Sequence, residues 1–154
     1  MMRLFFATVF LSFITLSFTG CGGEKGALSG LYPCEGTVTY NGSPVAVGAS
    51  ITFYPDSGNP EARAASANTD SSGKFKTTTL KPNDGMFPGT YKVAIAKYEE
   101  YGPPRQEKDS DGNVIGEEYD MKNVFPEKYA NPATSGLTIT IEKKKNTPEF
   151  NLVD

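Results

Sequence analysis

The fold is decided by the stretch Gly36-Thr-Val-Thr-Tyr-Asn-Gly-Ser-Pro-Val-Ala-Val-Gly-Ala-Ser-Ile-Thr-Phe-Tyr-Pro55. Each half carries apolar side chains two residues apart: Val38 and Tyr40, then Ile51 and Phe53. A period of two is typical of β-strands with one buried face. Asn41-Gly42 lies between the halves and accepts the positive φ angles of a tight turn. The stretch therefore predicts two half-buried strands, over which later strands complete a sandwich.

Five further segments have strand patterns. They are residues 62–70 (an edge strand), 74–80, 90–97, 137–141 and a last strand containing Phe150 and Leu152. Asp70 favours an Asx-turn, Gly73 provides a left-handed position, and Pro88-Gly89 predicts another turn. The sequence thus predicts seven strands and no helix, a spacing typical of an all-β, antiparallel β-sandwich.

Length and composition indicate one ordinary globular domain. The chain has 154 residues, of which 38% are hydrophobic and 21% charged. Its formal net charge is −3; without residues 1–20 only Arg3 is lost, which leaves 14 basic against 18 acidic side chains. A mildly acidic chain without a basic stripe argues against a nucleic-acid partner.

The N-terminus predicts export and lipid anchoring. Arg3 precedes an apolar stretch, residues 4–18, that is shorter than the roughly 20 residues of a membrane-spanning helix. The following Phe18-Thr-Gly-Cys21 resembles the lipobox of bacterial lipoproteins, with Phe18 where Leu is usual. This resemblance implies a signal peptide over residues 1–20 and acylation of Cys21; a plain secretory signal is the alternative. Residues 21–33 are then expected to form a flexible tether. Gly22 after the cysteine favours sorting to the outer membrane over inner-membrane retention.

Several of these segments together resemble the carboxypeptidase regulatory-like domain. They are the stretch quoted above, Thr69-Asp70 with Gly73-Lys-Phe75, Pro88-Gly-Thr-Tyr-Lys-Val93, Phe125-Pro-Glu-Lys-Tyr129 and Ser135-Gly-Leu-Thr-Ile-Thr140. The resemblance implies a transthyretin-like, Ig-like sandwich over residues 34–154, with a long insertion at 98–134. It is strongest to bacterial lipoproteins that carry this one domain behind a lipobox. Such motifs specify turns and core rather than function.

The composition excludes catalytic sites that depend on His. The chain has no His, so it cannot form a Ser-His-Asp triad, a Cys-His pair or a His-ligated zinc site. Cys34 is expected to be a small buried thiol, with a mixed disulfide or a catalytic role as alternatives. Asp109-Ser-Asp-Gly-Asn113 is interpreted as a hairpin tip rather than a calcium loop, because Glu117-Glu118 lies at the wrong distance for a ligand. No cofactor or metal is expected.

Residues 98–134 form the one connection long enough to carry recognition. Adjacent carboxylates there, Glu99-Glu100 and Glu117-Glu118, point in opposite directions in an extended chain and therefore predict a solvated face rather than an acid/base pair. The connection also contains five aromatic side chains: Tyr98, Tyr101, Tyr119, Phe125 and Tyr129. They form either a platform for a glycan or protein partner, or a set of rings that pins an excursion with a small hairpin onto the sandwich. Lys143-Lys144-Lys145 is expected to be a solvated turn rather than an anion site.

These observations predict a non-enzymatic, lipid-anchored protein of the cell envelope, held in the outer membrane through Cys21 on its periplasmic or cell-surface face. Its role is binding or structural, with an envelope protein or glycan as partner. The alternatives are an accessory docking subunit of an envelope transport or secretion complex, or a carbohydrate-binding or adhesin module. An adhesin with a Lys–Asn isopeptide cross-link is disfavoured, because residues 34–40 contain no Lys.

Overall fold

The computed structural model describes residues 30–57 and 59–154, and the fold within them is all-β. Its strands are β1 (Glu35–Tyr40), β2 (Ser43–Pro44), β3 (Ser50–Ser57), β4 (Ala65–Asn68), β5 (Lys74–Lys76), β6 (Gly89–Ala96), β7 (Tyr98–Lys108), β8 (Val114–Asn123), β9 (Thr138–Ile141) and β10 (Glu149–Leu152). One 3₁₀ turn, Glu127–Ala130, precedes β9. The predicted signal peptide and Cys21 lie outside the described residues. No helix in the described part of the chain has both the length and the apolar character needed to cross a membrane.

The first sheet is built around β1. The β1–β2 hairpin closes through Asn41 and Gly42, whose φ angles are 48° and 80°, so the predicted tight turn is confirmed. On its other side β1 pairs with β10 in parallel, with Val38 opposite Phe150. β5 pairs with the first half of β1 on the same side as β2. The parallel pairing of β1 with β10 is a non-local contact, and no turn signal in the sequence predicts it.

The second sheet has the order β4-β3-β6-β9 and is antiparallel throughout. Ile51 and Phe53 of β3 are fully buried, and they lie opposite Ile95 and Val93 of β6. The predicted faces of these strands are therefore confirmed. The predicted edge strand is β4, which ends this sheet. The two halves of the opening stretch belong to different sheets, because β3 pairs with β4 and β6 rather than with β1.

The two four-stranded sheets share one hydrophobic core. Phe53 of the second sheet lies 6.1 Å from Phe75 and 6.3 Å from Phe150 of the first, measured between ring centroids. Phe75 and Phe150 stack on each other at 6.0 Å. These three rings join the inner faces of both sheets, and burial of side chains this large is the main source of stability in such a fold.

Two carboxylates hold the turns between strands. The Asp70 carboxylate accepts hydrogen bonds from the N–H groups of Ser72 (2.8 Å) and Lys74 (3.0 Å), which is the predicted Asx-turn, and Gly73 has a φ of 75°. Asp84 accepts three backbone hydrogen bonds of 2.7–2.9 Å. Its partial burial raises its pKa, but the bonds from Thr79, Lys81 and Leu80 together outweigh burial and hold the pKa below its usual range.

Three differences from the predicted architecture follow from pairing that the sequence pattern does not encode. The seven predicted strands all have counterparts, but the described residues also contain β2, β7 and β8. The predicted strand over residues 74–80 ends at Lys76. The predicted tether is too long, because Leu31 is buried and Tyr32 exchanges backbone hydrogen bonds of 2.8 and 2.9 Å with Met86. Residues 31–33 therefore belong to the folded body.

Candidate functional site

The insertion contains a separate two-stranded sheet, β7–β8, which we call the arm (residues 98–123). Only Lys97 separates β7 from β6, so the arm continues directly from the core sheet. All of β7 is exposed, and in β8 only Asn123, at the base, is buried. The arm therefore projects from the body as a hairpin without a core of its own, in agreement with the predicted small hairpin.

The tip of the arm is shaped by Asp109. Its carboxylate accepts hydrogen bonds from the backbone N–H groups of Asp111 (2.9 Å) and Asn113 (2.8 Å) and from Asn113 Nδ2 (3.0 Å). The side chain and then the backbone N–H of Asn113 are the main causes that lower the pKa of Asp109. Gly112 has a φ of 86°. The interpretation as a hairpin tip is confirmed, and no cluster of metal-ligating side chains occurs within the described ranges.

A bulge interrupts β7 but not the facing part of β8. Tyr101 lies opposite Asp120 and Arg105 opposite Glu118, so residues 102–104 face Tyr119 alone. Gly102 has a φ of 79°, and the next two residues are prolines, which have no N–H to donate. The outer edge of β7 is therefore broken in the middle.

The register assigns the side chains of the arm to two faces, since directly opposed residues share a face. The charged face carries an ion pair between Arg105 and Asp120 (2.7 Å) and the Lys122 ammonium 5.1 Å from the centre of the Tyr101 ring. The aromatic face carries Tyr98, Glu100, Gln106, Glu117, Tyr119 and Met121. Glu99 and Glu100 thus lie on opposite faces, as do Glu117 and Glu118, which confirms that the two carboxylates of each pair point in opposite directions.

The five predicted contact rings do not form one platform. Tyr98 and Tyr119 share the aromatic face, whereas Tyr101, 60% exposed, lies on the charged face. Phe125 and Tyr129 are only 3% and 5% exposed. Including these two in a surface platform is wrong, because their rings belong to the core.

Phe125 and Tyr129 instead pin the returning chain to the body. The Phe125 ring meets Tyr40 edge to face at 5.2 Å. The Tyr129 hydroxyl donates to the carbonyl oxygen of Val153 (3.0 Å) and accepts from its N–H (3.1 Å). The alternative interpretation, rings that fasten an excursion onto the sheets, describes these two residues. Phe125 and Tyr129 follow the arm in a segment without strand periodicity. The sequence pattern therefore does not show that they are buried while the other three rings are not.

Asn123 fixes the base of the arm and was not singled out by the sequence. Its Oδ1 accepts hydrogen bonds from the N–H groups of Lys97 (3.2 Å) and Phe125 (3.3 Å), and the Val124 N–H donates to the Lys97 carbonyl oxygen (2.7 Å). Its Nδ2 is buried without a hydrogen-bond partner among the described residues. One side chain therefore ties both strands of the arm to the edge of the body.

Net charge is concentrated on the arm. Residues 98–123 carry eight carboxylates and three cationic side chains, a net charge of −5. The described remainder carries nine carboxylates and ten cations, a net charge of +1. The acidic character of the whole chain thus resides in the arm, which can attract a cationic partner and repel an anionic one.

The free thiol of the body, Cys34, is not activated for chemistry. Cys34 is a free, buried thiol, and burial, aided by the nearby Glu35 and opposed by a hydrogen bond with Thr77, raises its pKa to about 11. A thiol with this pKa is protonated at neutral pH and is a poor nucleophile, as expected for a small core residue.

A groove of about 850 Å³ runs along β1, β4 and β5. Glu35 on its wall is bridged by Lys145 (2.8 Å) and Lys76 (3.2 Å), and these lysines, in that order, lower its pKa. Lys144 pairs with Glu142 at 2.5 Å. Two lysines of the Lys143-Lys144-Lys145 turn are therefore already in exposed ion pairs, which fits the prediction of a solvated turn.

No protein-family model matches this chain, and no curated protein matches it either. Among solved structures, a crystal structure of a 9R-lipoxygenase from Cyanothece PCC8801 aligns with 81% of this chain at 13% sequence identity and a TM-score of 0.35. The chain spans 16% of the length of that lipoxygenase. A likeness at this TM-score carries no argument about fold or function.

Proposed function

We propose that this chain is a lipid-anchored protein of the cell envelope with a non-catalytic binding role, whose body is a transthyretin-like β-sandwich of the carboxypeptidase regulatory-like kind. In this proposal Cys21 holds the protein to the outer membrane, the two four-stranded sheets form the scaffold, and the arm contacts the partner. The leader sequence supports the anchor, and the shared core of the two sheets supports the sandwich.

The single observation that carries the binding role is the exposure of the arm. Two strands of 11 and 10 residues extend without packing on the body, and they carry the exposed apolar side chains Tyr98, Tyr101, Val114, Ile115 and Met121. An isolated two-stranded hairpin is only marginally stable in water, and long insertions in compact domains are usually functional. Exposed apolar side chains grouped on one element are typical of an interaction surface.

Two features support a role without catalysis. The sequence contains no His, the residue that most often moves protons in active sites. The buried thiol of Cys34 has a pKa of about 11, so it is not an activated nucleophile.

Deletion of the arm tests the binding role. Removing residues 103–118 shortens the connection from 26 to 10 residues, which changes the free energy of loop closure by roughly 0.8 kcal/mol. Since none of these residues is buried, we expect the thermal unfolding of the body to be nearly unchanged. Chemical cross-linking in intact envelopes should then capture a partner with the wild-type chain but not with the deletion.

The matched control replaces residues 103–118 with a Gly/Ser segment of equal length, which keeps the chain length and removes the side chains. Both variants should lose the cross-linked partner. A deletion that still captures the same partner would show that recognition does not need residues 103–118, and the binding role of this outer part of the arm would be abandoned. Unfolding of the body by the deletion would show that the arm is structural.

The anchor is tested separately with Cys21→Ser. A single acyl chain gives only marginal membrane binding, whereas the several chains of a lipoprotein anchor hold a protein stably. We expect the variant to leave the membrane fraction and to lose fatty-acid labelling. Labelling equal to that of the wild type would refute the lipoprotein assignment without affecting the role of the arm.

Of the alternative functions, an accessory docking subunit of an envelope complex is favoured over a glycan-binding module. Tyr98 and Tyr119 share the aromatic face with Glu100 and Glu117, and the other exposed ring lies on the opposite face. This arrangement offers little continuous aromatic surface for a sugar ring, but it suits contact with a protein. Isolation of a stoichiometric complex in mild detergent would identify a docking subunit, and binding to purified envelope polysaccharide would favour the glycan module.

A further inference from the structure

We propose that the arm binds a basic, extended segment of a partner protein, which adds as a third strand to the free edge of β8. This inference rests on the proposed function, because it names the chemistry of the partner that the arm contacts. It rests on three observations: the outer edge of β7 is interrupted whereas β8 contains no Pro, the arm is acidic, and its two faces carry different side chains.

The free edge of β8 is the better template for strand addition. β7 is interrupted by the bulge at Gly102 and by Pro103 and Pro104, which cannot donate hydrogen bonds. β8 contains no Pro, and its 10 residues extend about 33 Å. Among the described residues β8 pairs with β7 alone, so its other edge presents unpaired backbone N–H and C=O groups. Such an edge accepts an added strand readily.

The net negative charge of the arm favours the addition of a cationic strand. The arm carries a net charge of −5, so two arms repel each other, and so do an arm and an anionic membrane or polymer. A segment rich in Lys or Arg is attracted instead, and complementary charge raises both the association rate and the selectivity. A second copy of the arm and an anionic lipid surface are therefore disfavoured occupants.

The faces of β8 indicate the pattern of that strand. Cross-strand neighbours interact most strongly when apolar side chains meet apolar ones and opposite charges meet. On the aromatic face β8 presents Tyr119 and Met121, which favour apolar neighbours. On the charged face it presents Glu118 and Asp120, whose carboxylates contact Arg105 of β7 and can accept a further Lys or Arg from the other side. A segment that alternates apolar and basic residues satisfies both faces.

The test uses the full chain in detergent and a fluorescent peptide about ten residues long that alternates Lys with Val. One control peptide has Glu in place of every Lys, and a second keeps the Lys residues but has Pro in place of two central Val residues. Fluorescence anisotropy should give a dissociation constant at least about tenfold lower for the first peptide than for either control, a difference of about 1.4 kcal/mol. Raising the salt from about 0.05 M to about 0.5 M should weaken binding, because the contacting charges are exposed.

The variant is Glu100→Lys with Glu117→Lys, which changes the arm from −5 to −1. Its matched control is Glu61→Lys with Glu127→Lys, the same change of charge at exposed sites of the body. Affinity for the basic peptide should fall about tenfold in the arm variant and stay within about twofold in the control. Thermal unfolding checks that both variants are folded.

Three results would overturn the inference. They are equal binding of the Lys and Pro peptides, equal loss of affinity in both charge variants, and arm-dependent dimers or arm-dependent binding to anionic vesicles. The proposed function is judged separately by the deletion of residues 103–118. If that deletion abolishes partner capture while the basic peptide shows no preference, the binding role stands and only the chemistry assigned to the partner fails.

Discussion

The contact between Gly36 and Phe75 provides a sharp test of how the first sheet is built. Gly36 of β1 lies opposite Phe75 of β5, and a Cβ atom on Gly36 would lie 2.6 Å from Cζ of the Phe75 ring. The same Cβ would lie 2.2 Å from the carbonyl oxygen of Pro148, the residue just before β10. Since Gly36 is not at a positive φ, Gly36→Ala adds only these contacts and no backbone strain.

The magnitude follows from what must move. Overpacking of a well-packed site costs about 1–3 kcal/mol. The Pro148 carbonyl oxygen also accepts a hydrogen bond from the Thr37 N–H (3.1 Å), and displacing it weakens a bond worth about 1 kcal/mol. Replacing Gly by Ala lowers the entropy of the unfolded chain and returns about 0.4–1 kcal/mol. The net expectation for Gly36→Ala is a loss of about 1–3.5 kcal/mol in the free energy of unfolding, a large part of the stability of such a domain.

Gly116→Ala is the matched control. Gly116 is also a strand glycine without a positive φ, but its nearest neighbour is the flexible carboxylate of Glu107, at 3.3 Å from the added Cβ. We expect this variant to be neutral or slightly stabilised. Urea unfolding followed by circular dichroism should give a lower midpoint at an unchanged slope for Gly36→Ala alone. If the two variants unfold within about 0.5 kcal/mol of each other, the ring of Phe75 does not lie across Gly36 and the assigned packing of β1, β5 and β10 is incorrect.

Further predictions concern the second sheet, the free thiol and the turn at Asp84. In urea unfolding, Ile141→Ala should lower the free energy of unfolding by about 2–5 kcal/mol, because Ile141 is buried. Thr140→Ala, at the exposed neighbouring position, should lower it by less than about 0.5 kcal/mol. Equal losses would mean that the faces of β9 are exchanged. Cys34 should resist alkylation at pH 8 in the folded chain and react fully in urea, as measured by peptide mass spectrometry, since burial raises its pKa to about 11; rapid labelling of the folded chain would contradict this. Asp84→Asn should lower stability by about 1–3 kcal/mol at pH 7, because the amide group cannot accept all three backbone hydrogen bonds. The pKa of Asp84 is lowered in the folded chain, so its carboxylate stabilises the fold at pH values above the unfolded-state pKa of about 3.9. The difference in free energy of unfolding between wild type and Asp84→Asn should therefore persist above that pH and disappear as the pH falls below it. A difference that does not change with pH would exclude the charge of Asp84 as its cause.

The sequence was sufficient for the strands that bury one face. Ile51 and Phe53 alternate with Ser50 and Thr52, and Tyr91 and Val93 lie on either side of Lys92. Burial against a common core leaves such strands one choice of face. The turns could also be predicted from the sequence, because the positive φ angles at Asn41 and Gly42 are a local requirement that few residue types satisfy. Local chemistry and one-sided burial are the two properties that a single sequence expresses directly.

The arm was only partly predictable for the same reason. Its tip has a strong turn signal at Asp109 and Gly112. Its strands carry charges on both faces and a Gly-Pro-Pro interruption, so neither shows the alternation of a half-buried strand. The burial of Phe125 and Tyr129 was hidden as well, because it depends on contacts with Tyr40 and Val153, which are distant in the chain.

The low intrinsic stability of the arm connects its structure to the proposed binding role. Its strands are held by their own backbone ladder and by two exposed side-chain contacts, the ion pair of Arg105 with Asp120 and the contact of Lys122 with the Tyr101 ring. Each of these two side-chain contacts contributes at most about 1 kcal/mol at such sites. A hairpin of two strands is marginal, whereas three strands with an apolar face approach independent stability. A third strand on β8 would therefore stabilise the arm at the same time as it binds. Because Asn123 ties both ends of the arm to the body, that ordering would need no rearrangement of the core, and the sheets that give the protein its stability are separate from the arm.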